Sequence, residues 1–346
     1  MSGAEFVYWV HALSSLHPGT GRGEGYIDLP LAREKVTGFP FLPGSTMKGV
    51  FADSCGATDV KRRPPTSDRE PNPEYDATLH AAFGRAGNDT ANAGALVFTD
   101  ARLICLPARS LYGTFAWCTS SYILRRLNRD LEMAGQPTIP EPACESSLAC
   151  VPDGRPSPTI LADGAKIFLE DWDLVYTACA RTKQWAQAIA GWVFPRDANQ
   201  WQTEFVKRFL VLSDELFNFL AQTGTEVQAH IKIEQEQKRA AGGALWYEET
   251  LPPETILAGL VWCDPIRGVA GVNPEDVKDL CRSREGESAI QIGGKATVGK
   301  GRCRLLFVPR PQGAPPLTTT SPPPPSQGPP TTAVPGASVP GQGSEP

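Results

Sequence analysis

The chain lacks any run of apolar residues close to the roughly 18 needed to cross a bilayer. Its start, Met1-Ser2-Gly3-Ala4-Glu5, has neither the basic segment nor the long apolar stretch of a secretory signal. It has no Cys-x-x-Cys pair and only 4 histidines, and its 9 cysteines are scattered and odd in number. Neither a zinc site nor a disulfide framework is therefore expected, and the reading is thiols kept reduced in a cytoplasm, with no membrane association. The net charge of −5 argues against a general nucleic-acid-coating protein and leaves local basic patches open. Residues 311–346 lack aromatics and carry one charged side chain, Glu345, with 12 of the 33 prolines. Such a segment buries too little apolar surface to offset its ordering entropy, so 311–346 is expected to be a disordered Pro-rich tail. Residues 1–310 then form the globular part, a size for one large domain or two modest ones.

Within 1–310, short strand and helix patterns alternate without βαβ regularity, which predicts an α+β fold. Phe6–Leu13 reads as a buried strand, Leu96–Leu106 and Thr114–Cys118 as strands, and Tyr122–Met133 as a helix with Ile123, Leu124, Leu127 and Leu131 on one face. Ser45 is the expected N-cap of a helix running through Met47, Val50 and Phe51. Residues 58–76 and 135–164 are polar and Pro-rich and read as loops. Ile167–Tyr176 reads as a strand, and 181–192 and 200–221 as helices. Val227 to about Pro253 reads as a hairpin with a basic tip at Lys238-Arg239. Ile256–Cys263 and Arg302–Val308 are strands, with a short helix over Glu275–Arg282 between them.

Three segments carry chemistry. Gly294-x4-Gly299-Lys300 has P-loop spacing, but Gly301 stands where a magnesium-binding Ser or Thr is required and a strand follows where a helix should, so nucleotide hydrolysis is rejected. What remains is a loop of bare backbone N–H groups with Lys295 and Lys300, suited to phosphate. The alternative is a flexible hairpin loop with solvated lysines. Ser288–Arg310 holds five basic residues and no acidic one. In the second segment, His17 to Asp28, glycines at 19, 21, 23 and 25 expose backbone donors beside Arg22. The helix start near Ser45 and Lys48 adds a second anion-friendly device. Asp28 is a lone carboxylate among these groups, either holding a divalent ion or capping a turn or pairing with Arg33. His17 is a turn residue or a general acid or base. The third segment, the hairpin, ends in Glu248-Glu249, which taken alone reads as a solvated acidic turn. Trp246 and Tyr247 stack on bases or belong to the core.

Four blocks, residues 17–51, 98–127, 231–259 and 290–305, resemble in order the RAMP proteins of CRISPR effectors, in particular the backbone subunit of the type III-B (Cmr) RNA-targeting complex. The resemblance implies a modified RRM-like, ferredoxin-like core with an inserted thumb hairpin and lid regions. It implies copies stacked as a filament along a CRISPR guide RNA, and cleavage of complementary target RNA beside nucleotides that each thumb displaces. The other implied partners are the large polymerase-like subunit, the small subunit and the capping RAMP subunits of the Cmr complex. Asp28 falls at the family's cleavage position and is expected to hold a divalent ion, Mg or Mn. His17 and Glu248 resemble auxiliary catalytic positions. Arg22, Lys48, Lys238, Arg239, Gly293, Gly294, Lys295, Gly299 and Lys300 are the expected RNA contacts. A non-catalytic guide-RNA scaffold, a metal-independent guide-processing enzyme and the type III-A (Csm) backbone subunit are the alternatives, and Asp28 favours the nuclease. The Pro-rich tail is outside the family pattern.

Overall fold

A computed structural model of the chain describes residues 4–21, 27–57, 73–85, 91–142, 148–154, 159–196, 200–234, 239–284 and 288–314. The tail from 315 onward, Arg22 and Lys238 lie outside the described residues. The strands are β1 (Phe6–Ala12), β2 (Phe41–Leu42), β3 (Leu96–Phe98), β4 (Ala101–Arg109), β5 (Phe115–Ser120), β6 (Leu148–Pro152), β7 (Ala162–Asp163), β8 (Lys166–Leu169), β9 (Trp172–Cys179), β10 (Phe209–Leu212), β11 (Glu226–Glu234), β12 (Arg239–Thr250), β13 (Ile256–Cys263), β14 (Ser288–Gln291) and β15 (Arg302–Pro309). The helices are α1 (Gly44–Ser54), α2 (Pro73–Phe83), α3 (Ser121–Met133), α4 (Ala180–Val193), α5 (Trp201–Arg208), α6 (Asp214–Thr223) and α7 (Pro274–Arg282). The fold is α+β.

One mixed sheet runs in the order β14-β15-β1-β13-β4-β5-β10-β6-β9-β8-β7, with β2 joined to β4 and β3 to β13. Every residue of β1 is buried, as its unbroken apolar and aromatic character requires of a strand covered on both faces. Its one polar side chain, His11, meets Glu254 Oε2 at 2.8 Å. β1 pairs antiparallel with β13 on one side and β15 on the other. With α1 following β1 and α7 preceding β15, these strands and β3/β4 make a β-α-β-β-α-β unit in the order β15-β1-β13-β4. The second half of the sheet, β5 to β7, is covered by α4, which packs on β6 and on α5. α3 is capped by Ser120, whose side chain accepts from Ile123 N, and it buries Ile123, Leu124, Leu127 and Leu131 as its periodicity predicts.

Five expectations are corrected. Residues 200–221 are not one helix: α5 ends at Arg208, and Phe209-Leu210-Val211-Leu212 forms β10, fully buried and parallel to β5. A four-residue apolar run has no period by which to tell strand from buried helix. The Pro-rich stretch 135–164 contains β6, which pairs with both β10 and β9, and β7. Ile167–Tyr176 is a hairpin of β8 and β9, turning at Glu170 with φ 50°. The loop 58–76 gives way to α2 at Pro73, where proline fits a first helical turn. Ser45 is not the cap of α1: Pro43 holds that position, and the Asp100 carboxylate accepts from Gly44 N at 2.7 Å. The positive end of α1 is therefore already met by an anion, which removes it as a ready phosphate seat.

Candidate functional site

The three chemical segments of the sequence meet at the foot of the β11–β12 hairpin. The two strands pair antiparallel from Glu226↔Thr250 to Glu234↔Arg239, with an irregularity between Ile231 and Ile233. Successive side chains of a strand point to opposite faces, so adjacent Glu248 and Glu249 serve different neighbours. Neither is solvated: Glu248 is 0% and Glu249 4% exposed. The reading of this pair as an exposed acidic turn is overturned.

Asp28 lies beside β12. Its Oδ2 accepts from Tyr247 N at 2.8 Å, and the following residue exchanges backbone bonds with the strand, Leu29 N to Tyr247 O at 3.1 Å and Glu249 N to Leu29 O at 3.0 Å. The side chain is exposed, and among the described residues Oδ1 has no partner. Arg33 does not pair with Asp28. Its guanidinium goes to Glu249 Oε1 at 2.5 Å and to the carbonyls of Gly38 and Ala221 at 2.8 and 2.9 Å. Leu31 N donates to Glu249 Oε2 at 3.0 Å and Thr225 Oγ1 to Glu249 Oε1 at 2.8 Å. Sequence reasoning missed Glu249 and Arg33 as site-building groups. The only signal was a pair of carboxylates closing an apolar strand.

His17 stands one residue beyond the Leu16↔Leu251 bridge. Its Nδ1 is 2.7 Å from Glu249 O. A carbonyl only accepts, so Nδ1 carries the hydrogen, and Nε2 is the position that gains or loses a proton. Gly19 lies under that ring: a Cβ there would stand 2.4 Å from His17 Nε2. Gly19→Ala is expected to swing the imidazole aside with little cost to folding, because the obstructing atom is the end of a side chain. Cleavage slowed about tenfold or more, with an unchanged melting temperature, is the expected outcome where His17 handles a proton. An unchanged rate would remove His17 from the chemistry.

The glycine loop reaches the other face of β12. Gly301 N donates to Ser15 O at 2.9 Å, which ties that end of the loop to the segment before His17, and Gly293 at the other end lies so close to His17 O that a Cβ would stand 3.0 Å from it. Gly301, with φ 75°, admits no side chain, since a Cβ would stand 2.0 Å from Ile292 O. Lys295 Nζ bonds Glu248 Oε2, and Lys300 Nζ lies 3.4 Å from Glu248 Oε1 and 3.1 Å from Gln228 Oε1. His230, stacked on Trp246, brings Nε2 to 3.3 Å from Glu248 Oε2. Gly294 and Gly299 are exposed on the rim of this loop.

Burial pushes both carboxyls up, but their partners outweigh it. Lys295 and Lys300 hold Glu248 below its ordinary 4.5, and Leu31 N–H, Arg33 and Thr225 do the same for Glu249. A carboxylate lowered in the folded state stabilises it fully above the unfolded value, and that contribution is lost as pH falls through the folded one. The hairpin foot is therefore expected to loosen below pH about 4.5 and not between 5 and 8. Urea midpoints measured from pH 7 to 3.5 should fall in the acid range, less steeply in Glu248→Gln. An equally steep fall in that variant would assign the acid sensitivity to other groups.

The remaining expected contacts are spread. Lys48 is half-buried on α1, which packs on β3 and β14, the strand that leads into the glycine loop. Arg239 opens β12 opposite Glu234. Among the described residues no group of three or more His, Cys, Asp or Glu side chains is placed to hold a metal ion. Glu248 and Glu249 are committed to cations, which leaves Asp28 as an exposed carboxylate with one oxygen without a partner among the described residues. This donor set fits only an ion whose other ligands are water and the phosphates of a bound nucleic acid, a common arrangement for magnesium.

Among the described residues no helix is long and apolar enough to cross a membrane. A family model described as the RAMP superfamily matches residues 9–304. The CRISPR system Cmr endoribonuclease Cmr4 of Pyrococcus furiosus is 28% identical over 300 residues, covering 86% of this chain and 93% of that protein. The crystal structure of oligomeric Cmr4 from the same organism superposes with a TM-score of 0.63 at 23% identity, covering 89% of this chain and 99% of that one. A chain in the cryo-EM structure of type III-B Cmr-beta bound to cognate target RNA gives a TM-score of 0.63 at 19% identity, with 88% and 98% covered. With nearly the whole of the described sheet and the hairpin inside the matched span, the chain belongs to the RAMP superfamily.

Proposed function

We infer that this chain is a backbone subunit of a type III-B CRISPR effector and an endoribonuclease that cleaves target RNA paired to the guide. The observation that carries the reading is the meeting of three separate segments at one point. An exposed Asp28, a His17 with a fixed tautomer and a lysine-bearing glycine loop all converge on the hairpin foot. The β-α-β-β-α-β order of β1, β3/β4, β13 and β15 supports an RRM-like core, and β11–β12 supports the thumb. No disulfide joins the described cysteines, which suits a cytoplasmic protein.

RNA carries its own nucleophile, so the protein has to align the 2′-OH with the adjacent phosphorus and manage protons and charge. The hairpin displaces a nucleotide and opens that angle. Asp28 takes the 2′-OH proton as the oxygen attacks. The P–O5′ bond breaks, and the leaving 5′ oxygen receives a proton from Nε2 of protonated His17. Lys295 and Lys300 contact phosphates without reading bases, as a guide of any sequence requires. A divalent ion, Mg or Mn, would be held by Asp28 and would supply charge compensation at the phosphate. Guide RNA, target RNA, further copies of the chain and the other Cmr subunits are the partners.

The test is cleavage of guide-matched RNA by the reconstituted complex, comparing wild type with Asp28→Ala, with and without Mg²⁺. Regularly spaced cuts that vanish in the variant while guide and target stay bound support the reading. Cuts that persist leave this chain as a scaffold, and cutting that survives EDTA removes the ion from the scheme.

A further inference from the structure

Glu249 gathers more of the site than any other residue. Its carboxylate receives Leu31 N, Arg33 and Thr225, its N–H donates to Leu29 O, and its carbonyl receives His17 Nδ1. Asp28 adjoins this network: Leu29, next in the chain, accepts from Glu249 N, and Tyr247, two positions back along β12, donates its N–H to Asp28 Oδ2. Arg33 extends the grip, because the same guanidinium holds the Gly38 and Ala221 carbonyls and so ties the segment to the end of α6.

A buried ion pair is weak evidence for stability, since an apolar pair of similar volume often serves as well. What an apolar pair cannot do is fix direction. A carboxylate with both oxygens committed, one to a backbone N–H and one to a guanidinium and a hydroxyl, allows one register of the Ile27–Leu31 segment on β12. Because His17 hangs from the carbonyl of the same residue, one strand position sets both groups assigned to the chemistry. We propose that the Glu249–Arg33 clamp is a positioning device for RNA cleavage, holding Asp28 and His17 in register on the hairpin without either clamp residue touching RNA. The proposal rests on the reading of Asp28 as the cleaving group.

Two variants of the reconstituted complex test it. Glu249→Gln keeps the shape, but its amide nitrogen cannot accept, so the Leu31 bond or the Arg33 bond is lost. Arg33→Lys keeps the charge and loses the fork that spans three acceptors. Single-turnover cleavage at saturating target is expected to slow about 10- to 100-fold, the scale of an ångström-sized misplacement. Target affinity and the spacing of the cuts should not change. Hydrogen exchange on the chain alone supplies a readout independent of activity. Peptides covering Leu29–Leu31 and Tyr247 should exchange faster in both variants, at an unchanged melting temperature in Arg33→Lys, which keeps the charge, and a lowered one in Glu249→Gln, which does not.

Unchanged exchange at those amides would overturn the clamp itself. Faster exchange with an unchanged cleavage rate would overturn its role in positioning. A rate loss matched by an equal loss of target affinity, or accompanied in Arg33→Lys by a lowered melting temperature, would make the pair merely structural. Should Glu249→Gln fail to assemble, Arg33→Lys decides alone. Asp28→Ala, run alongside, separates the two claims. If it cuts normally, the reading of the site fails. If it is inactive while both clamp variants cut at the wild-type rate, only the clamp fails.

Discussion

Asp28→Asn is expected to slow target cleavage by about 10²- to 10⁴-fold, the range of a lost general acid or base, while guide and target remain bound. Asparagine is the informative replacement because its carbonyl oxygen still accepts from Tyr247 N, the 2.8 Å bond that seats the side chain on β12. The segment therefore stays anchored, and what disappears is the negative charge and the capacity to take a proton. Alanine removes the anchor as well. Binding should be preserved in both, because the cationic groups assigned to phosphate are Lys295 and Lys300, whose ion-pair partner is Glu248 and not Asp28. Cleavage of end-labelled target resolved by length, paired with a filter-binding titration, measures the two properties separately. An asparagine variant that cuts at the wild-type rate would take Asp28 out of the chemistry. An asparagine variant as slow as alanine, with exchange at Leu29 unchanged, would assign the whole effect to charge and none to the anchor.

What was legible in the sequence was whatever one local rule decides. The buried β1, the amphipathic α3 and the strand Ile256–Cys263 each follow from a period or a composition that no neighbour alters. The glycine loop between β14 and β15 was legible as a loop because closely spaced glycines weaken both strand and helix. β10 and β6 were not legible. One is too short to show a period, and the other is a strand only because β10 and β9 flank it. Ser45 obeyed the local capping preference and lost to Asp100, which accepts from Gly44 N, 56 residues before it in sequence. The site divides the same way. Asp28 and His17 lie in loops whose residue types announce polar work. The burial of Glu248 and Glu249, by contrast, depends on three distant segments (Leu31–Arg33, Thr225 and Lys295–Lys300) that no local pattern joins to them.

Glu248→Ala is expected to destabilise the protein by about 3 kcal/mol, the lower end of the cost of removing one partner from a buried ion pair. The lower end applies because Lys295 and Lys300 are 33% and 12% exposed and regain water when the carboxylate goes. Before the change Glu248 is wholly buried, bonds Lys295 and pairs at 3.4 Å with Lys300. Afterwards the glycine loop loses its two ion pairs to β12, and His230 loses the carboxylate 3.3 Å from its Nε2. A lower urea midpoint and faster exchange across Ile292–Gly301 are the expected signs. Glu248→Gln should lie between wild type and alanine, since its oxygen still accepts from one lysine. The comparison also decides what Glu248 is for. An auxiliary proton carrier would be lost equally in both variants, with cleavage abolished while the glutamine form still binds guide with wild-type affinity. A residue that only seats the phosphate-binding loop would let the glutamine form cut, with rate and guide affinity falling together as the loop loosens. A buried carboxylate shared by two lysines has no path to a scissile phosphate unless that cluster opens, and so the second pattern is the one expected.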